Sequence, residues 1–284
     1  MDYLYATIMG LVQGLTEFLP ISSSAHLRIT SDLLGIGDPG AAFTAIIQIG
    51  TELAVLIYFW KDIWQILTHW YRSMPWVGEG HLPSSDPHVR LGWMIIVGSI
   101  PIGVLGLLLE KWIDTTFRNL WITVFMLAFF GALLGLADGW SKREKTLDKM
   151  TWGQAIAYGG AQALALIPGV SRSGGTITAG RLMGFKRPDA ARYSFLLAMP
   201  AVFASGLYKV AKVLSGPTVG EIQWGPTLLA TVVCFVVGYA VIVWFLKLIS
   251  TKSFMPFVWY RLGLAAVVSV LLLTGVLHAN AIGV

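Results

Sequence analysis

Six stretches of this chain run for roughly 20 residues with few charges: 41–60, 91–109, 120–138, 190–212, 226–249 and 258–278. About 20 apolar residues in helical form match the hydrocarbon core of a bilayer. In lipid the backbone N–H and C=O groups have no water to bond, so a spanning stretch of this kind is restricted to a helix. Composition agrees, because only 12% of the 284 residues are charged, whereas soluble domains carry about 25%. The expectation is an all-α polytopic membrane protein, one membrane domain over residues 1–284. The stretch 61–90, containing "HWYRSMPWVGEGHLPSSDPH", reads as an interfacial loop with Trp60, Trp64, Trp70, Trp76 and Trp93 as interface anchors. His69, His81, His88 and His278 read as solvated. The single cysteine, Cys234, sits in an apolar run and leaves no disulfide framework. "MDYLYATIMG" lacks a basic n-region, so it does not read as a cleaved signal peptide.

Two further segments, 4–35 and 153–184, are apolar, then interrupted by proline, then rich in serine. An apolar arm, a polar break and a second arm describe a re-entrant hairpin, which is tolerated at membrane depth where protein or a wet cavity satisfies the backbone. A shift of 149 residues aligns the two without gaps. Gly10, Gln13, Leu15, Ser22, Ser24, Leu33, Gly35, Pro39, Ala41 and Ala42 then meet Gly159, Gln162, Leu164, Ser171, Ser173, Leu182, Gly184, Pro188, Ala190 and Ala191. Chance would give about three identities over such a window. The chain therefore reads as a duplication of one hairpin plus three spans, with repeat 1 at about 1–138 and repeat 2 at about 150–284. Three spans are odd in number, so the second copy enters the bilayer upside down. The expected architecture is six transmembrane helices plus two re-entrant helical hairpins in an inverted 3+3 repeat, with the site where the broken elements meet near the midplane.

Basic residues set the orientation. Lys61, Arg72, Arg90, Lys142, Arg143, Lys145, Lys149, Arg181, Lys186, Arg187, Arg192, Lys247, Lys252 and Arg261 fall on one side, and Arg28, Lys111, Arg118, Lys209 and Lys212 on the other. By the positive-inside rule the first set is cytoplasmic, so the first hairpin opens from outside the cell. A net charge of +5 spread over loops marks topology and not a nucleic-acid footprint.

The polar residues left at depth carry the chemistry. Gln13 and Glu17 are four apart and share a helical face, and an intramembrane carboxylate is functional by default. Pro20 breaks the arm, and Ser22 or Ser23 caps the helix that follows. Ser22 and Ser23 lie four and three residues before His26, so hydroxyl and imidazole can share a face. The free helix N-terminus favours an anion. In the second hairpin, "LIPGVSRSGGTI" offers hydroxyls from Ser171, Ser173 and Thr176. Its Arg172 has the fork geometry that suits phosphate. Under the 149-residue shift Arg172 is the counterpart of Ser23. This set of donors around one acid and one imidazole resembles a phosphate site and not a metal cage. Gln48 and Glu52, one turn apart, either line that cavity or support the hairpin. Arg28 reads as an outer-face surface charge.

"QGLTEFLPISSSAH" and "PGVSRSGGT" resemble the two signature motifs of the bacterial undecaprenyl pyrophosphate phosphatases, the bacitracin-resistance family. The likeness runs along essentially the whole chain, including "FTAIIQIGTELAVLIYFW" and "SFLLAMP". It implies hydrolysis of undecaprenyl pyrophosphate to undecaprenyl phosphate and phosphate, recycling the carrier for cell-wall synthesis. It also implies a bacterial plasma-membrane location, a site facing the outside and a divalent cation, Mg²⁺ or Ca²⁺. The expected partners are that lipid and the bilayer, with no nucleic acid; a homodimer is compatible with the sequence. Glu17 matches the second acid of the family's glutamate-rich motif and is a candidate metal ligand. Ser23 matches the proposed nucleophile, His26 the motif histidine and Arg172 the phosphate-binding arginine. Gln13, Ser22, Ser24, Ser171, Ser173 and Thr176 are the expected substrate-binding set. One departure is Gln13, where the motif accepts Glu or Gln; a neutral amide is no strong metal ligand or base. On this reading Ser23 attacks the terminal phosphorus while Glu17 or His26 takes its proton; direct histidine attack and water attack are the variants. A lipid flippase or transporter is the competing class, since inverted repeats with broken helices are a transporter plan.

Overall fold

The computed structural model describes residues 2–35, 41–109, 112–113, 117, 119–141, 145–215 and 223–280, which are mostly helical with no β-strand among them. Helix α1 (Tyr3–Thr16) starts at an Asp2 cap and ends short of Pro20, whose missing N–H and bulky ring cannot continue the ladder. The chain turns over 17–22 and restarts as α2 (Ser23–Leu33), with Ser22 as its cap. Next come α3 (Ala41–Tyr58) and α4 (Trp60–Arg72), then α5 (Pro87–Leu108) and α6 (Leu120–Trp140). Helix α7 (Trp152–Ala163) begins at a Thr151–Gln154 capping box. A second break, holding a 3₁₀ turn at Leu164–Leu166 and then Pro168, leads to α8 (Arg172–Leu182), capped by Ser171. Helices α9 (Arg187–Ser215), α10 (Trp224–Thr251) and α11 (Met255–Leu273) complete the order.

Among the described residues five helices are long and apolar enough to cross a membrane: α5, α6, the Arg187–Tyr208 part of α9, α10 and α11. A sixth span exists only if α3 and α4 count as one, and they are bent by 79° at Phe59 and Trp60. The expected loop at 61–90 is thus corrected, because its first part is helix. No Gly or Pro occurs between Trp60 and Arg72, Asp62 lies in the first turn, and His69 and Arg72 lie in the last. That charge order suits the helix dipole. Ile66 is buried while Trp60, Trp64 and Leu67 are exposed, so α4 is one-sided. Of the expected anchors, Trp60, Trp64, Trp76 and Trp93 are exposed, whereas Trp70 is half-buried against Trp93.

Two glycines set how closely the arms dock. A Cβ on Gly10 would meet the Ala230 carbonyl of α10, and one on Gly159 would meet the Gly98 carbonyl of α5. These two positions are 149 apart, so both first arms use the same device on different partners. Helix α3 packs between α9 and α10, and α8 packs among α6, α7 and α9.

The charge tally also changes. Arg181 is fully buried and bonds Asp138 of α6 at 3.0 Å, beside Arg187 at 2.7 Å, while the Phe254 N–H donates to the same carboxylate. Arg261 is fully buried too. Neither is a loop charge. Arg28 is no free surface charge either, since it pairs with Asp32 at 2.8 Å with most of its side chain covered. Lys111, Arg118, Lys142 and Arg143 lie outside the described residues, as do the side chains of Lys209 and Lys212.

Candidate active site

The two breaks face one another, and each turns its cap the same way. Ser22 and Ser171 are the only non-glycine residues among those described with positive φ, 74° and 69°. Such backbone costs about 1–3 kcal/mol and clusters at functional sites. Each cap Oγ accepts a backbone N–H three residues on, from Ala25 and from Gly174. Each also bonds the next serine but one, Ser22 to Ser24 at 3.1 Å and Ser171 to Ser173 at 3.2 Å. Ser22, not Ser23, is therefore the cap, which leaves Ser23 Oγ free for other work. Ser24 is exposed.

Glu17 is the hub. Its Oε2 accepts from Ser23 Oγ at 2.6 Å and from Gln13 Nε2 at 2.8 Å. Its Oε1 accepts from Gln48 Nε2 at 3.1 Å and from Arg172 Nη2 in a short contact. Arg172 Nη2 also donates to Glu52 Oε1 at 2.9 Å. Gln48 and Glu52 thus line the site, resolving the two readings of that pair. Ser173 donates to the Leu19 carbonyl at 3.0 Å, and Thr176 to the Arg172 carbonyl at 2.7 Å, with Ser194 of α9 beside it. The Ser173 bond locks one break against the other, while Thr176 ties α8 to itself and to α9.

His26 is turned away from Ser23. Its Nδ1 lies 2.7 Å from the Ser22 carbonyl, which can only accept, so Nδ1 carries the proton. Its Nε2 lies 2.8 Å from the Tyr260 hydroxyl, and the two rings stack at 5.6 Å. Of the two candidate proton acceptors for Ser23, only Glu17 is in hydrogen-bond contact.

Sequence reading missed Tyr260, Ser194 and the role of Arg261. The Arg261 guanidinium donates to the carbonyls of Pro20, Gly169, Val170, Met126 and Leu127 at 2.7–3.2 Å. One side chain of α11 therefore ties both breaks together. It carried a usable signal, since an arginine inside an apolar span meets the same criterion as Glu17. Tyr260 had no such signal.

Three buried polar atoms of the cluster have no hydrogen-bond partner among the described residues: Arg172 Nη1, Glu52 Oε2 and Gln13 Oε1. Buried polar atoms are rarely left so, and Glu17, Glu52, Arg172, Ser173 and Ser194 line a narrow crevice. The Arg172 donor and the Glu52 oxygen left over in that lining are what a charged ligand would complete.

Fold and site together define a polytopic helical protein with a hydroxyl–carboxylate–guanidinium centre at the meeting of two broken helices. The chain belongs to the bacitracin resistance protein BacA family, whose model matches residues 6–267 and so includes every residue of the cluster. A Micrococcus luteus protein named undecaprenyl-diphosphatase is 61% identical over 281 residues, 98% of this chain and 100% of that protein. One of the same name from Renibacterium salmoninarum is 55% identical over 282 residues, 99% of each chain. Undecaprenyl-diphosphatase 2 of Agrobacterium fabrum is 56% identical over 284 residues, again 99% of each.

Proposed function

We propose that this protein hydrolyses undecaprenyl diphosphate to undecaprenyl phosphate and inorganic phosphate. The observation that carries the reading is the Glu17 carboxylate, shared between the Ser23 hydroxyl and the Arg172 guanidinium. Phosphoryl transfer asks a protein chiefly for alignment and neutralisation of oxygen charge. Arg172 Nη1, unpartnered and buried, takes a phosphate oxygen. Ser23 Oγ forms a bond to the terminal phosphorus as the bridging P–O bond breaks, and its proton passes to Glu17 Oε2. Undecaprenyl phosphate leaves with the bridging oxygen and receives that proton. Water then attacks the phosphoserine, giving its proton to Glu17, which returns one to Ser23. Both ring nitrogens of His26 are engaged elsewhere, which speaks against histidine as the nucleophile.

A divalent cation, Mg²⁺ or Ca²⁺, fits the donor set. Glu17, the unpartnered Glu52 Oε2 and Gln13 Oε1 are all oxygens, the ligands such hard ions take. When bound there, it would offset the charge of the diphosphate. The names of the relatives favour this enzymatic reading over a flippase.

The inverted 3+3 arrangement with two re-entrant hairpins belongs to the same proposal. It is supported by the matched Ser22 and Ser171 caps and by the matched Gly10 and Gly159 contacts. Each first arm lies against a span of the other half. The site then opens to the outside of the plasma membrane, with the basic loops cytoplasmic.

The test is phosphate release from undecaprenyl diphosphate by the purified protein in detergent, with and without chelator, for wild type and Arg172→Ala. Wild type alone, with its metal, is expected to turn over. Full release by Arg172→Ala would overturn the assignment, and near-normal turnover by Ser23→Ala would overturn the nucleophile.

A further inference from the structure

A second cluster of ligand-type side chains lies outside the site just described, where the end of α4 meets the start of α5. His69 stands in the last turn of α4, Asp86 caps α5, and His88 is in its first turn. One ligand atom from each lies within 4.8 Å of both others. His69 Nδ1 is 3.0 Å from Asp86 Oδ1, His88 Nδ1 is 4.0 Å from the same oxygen, and the ring centres are 4.8 Å apart. The side chains are 30%, 18% and 37% exposed, so the atoms are reachable from solvent but not free to wander. Both histidines are partly solvated, as the sequence suggests, but they sit in helices and not loops and converge on one carboxylate.

Capping and one histidine–carboxylate bond account for Asp86 and His69. Asp86 Oδ1 accepts the N–H groups of His88 and Val89, which fixes the carboxylate at the head of α5. They do not account for His88. Its ring makes no hydrogen bond among the described residues, yet it turns toward the same oxygen. Two imidazoles converging on one carboxylate is the donor set of zinc and its neighbours, with imidazole and carboxylate and no thiolate. An ion bonded at about 2.0–2.2 Å to three tetrahedral ligands needs their atoms about 3.3 Å apart. The 3.0 Å pair needs to open by about 0.3 Å and the 4.0 Å pair to close by about 0.7 Å. The ion replaces the proton between His69 and Asp86, and water completes the fourth position. Asp86 is suited to this because its carboxyl stays below the usual range. Partial burial pulls it up, but the Val89 N–H, the His69 ring and the His88 N–H outweigh that.

We propose that His69, Asp86 and His88 form a binding site for a zinc-class divalent ion that staples the end of α4 to the head of α5. This site is separate from the oxygen-lined crevice at Glu17 and stands whether or not the phosphatase reading holds. Helix α4 leaves α3 at 79° and is tied to α5 chiefly along one face. A metal at its far end would fix that bend.

The experiment uses the full-length protein, purified in detergent and stripped with chelator. Co²⁺ is titrated in and followed by visible absorption, and Zn²⁺ is then added to displace it. One Co²⁺ per chain with a tetrahedral spectrum is expected, lost to Zn²⁺. His88→Asn and His69→Asn should each weaken Co²⁺ binding by roughly tenfold or more. Glu17→Gln should bind as wild type does. Folding of His88→Asn is checked by its size-exclusion profile and its thermal midpoint without metal, both of which should match wild type. As a second reading, Zn²⁺ should raise the thermal midpoint of wild type and not of His88→Asn. The proposal is overturned if wild type shows no saturable Co²⁺ spectrum. It is also overturned if folded His88→Asn binds equally well, or if Glu17→Gln abolishes the signal.

Discussion

Replacing Glu17 by Gln separates the proton-accepting role of this side chain from its structural one. The carboxylate accepts four hydrogen bonds, two on each oxygen. A glutamine can keep its oxygen toward Arg172 and Gln48 and turn its NH₂ toward Ser23 and Gln13. Ser23 Oγ can accept from that NH₂, and Gln13 can flip its amide, because Gln13 Oε1 has no partner at present. Arg172 keeps Glu52 at 2.9 Å, and the formal charge of the trio goes from −1 to neutral. The stability cost is therefore about that of one or two neutral hydrogen bonds, roughly 1–2 kcal/mol, and not the 3–5 kcal/mol of a broken buried pair. Catalysis is affected differently. The amide cannot take the Ser23 proton, and loss of a general base costs about 10²–10⁴-fold in rate, roughly 3–5 kcal/mol of barrier. The assay is phosphate release under saturating lipid, beside a thermal melt of the same preparation. Folded Glu17→Gln protein retaining more than about a tenth of wild-type turnover would refute Glu17 as the acceptor. Arg172→Ala should lose both turnover and stability, because it removes the donor to the phosphate and leaves Glu17 and Glu52 facing each other without their cation.

Three further outcomes follow from the packing. Tyr260→Phe keeps the stack on His26 but removes its 2.8 Å hydrogen bond, so stability should fall by about 0.5–1.5 kcal/mol, the worth of one such bond, with turnover near wild type; a large loss of turnover would mean the bond positions a reacting group. Arg261→Met strips donors from five carbonyls in a fully buried place. At about 1–3 kcal/mol each that approaches the whole stability of a domain, so the variant should fail to give a monodisperse peak in size-exclusion chromatography. Gly10→Ala and Gly159→Ala each push a Cβ into a facing backbone carbonyl and should both lower the thermal midpoint, by several degrees if the helices must part; an unchanged midpoint would show that the arms slide apart freely.

What the sequence made legible depended on contrast with its surroundings. Glu17, Ser23 and Arg172 stood out because each is polar inside apolar text, and the 149-residue shift set Ser23 opposite Arg172. Spacing alone put Gln48 and Glu52 on one face, but which partner they meet depends on how α3 packs, and no local pattern contains that. Tyr260 was invisible for a different reason: an aromatic on an apolar helix reads as core, and its partner His26 is 234 residues away. Helix α4 was hidden by tryptophans and histidines that read as loop, although it holds no breaker. Arg181 and Arg261 were misread because counting charges by position assumes that a basic residue near a span's end reaches water.

The buried position of Arg261 bears on how the site works. The two caps share φ, serine and hydrogen-bond pattern, so the two backbones are alike, while the side chains differ: Ser23 faces Arg172, and Glu17 and His26 have Leu166 and Gly175 as counterparts. Two strained caps of this kind would relax independently if nothing joined them. Arg261 bonds Pro20 ahead of the first cap, and Gly169 and Val170 ahead of the second. Together with the Ser173 bond to the Leu19 carbonyl, that guanidinium sets the distance between the two helix N-termini. The separation of Ser23 from Arg172, and so the span available to a diphosphate, is therefore held in part from α11, a helix whose own residues carry none of the transfer chemistry.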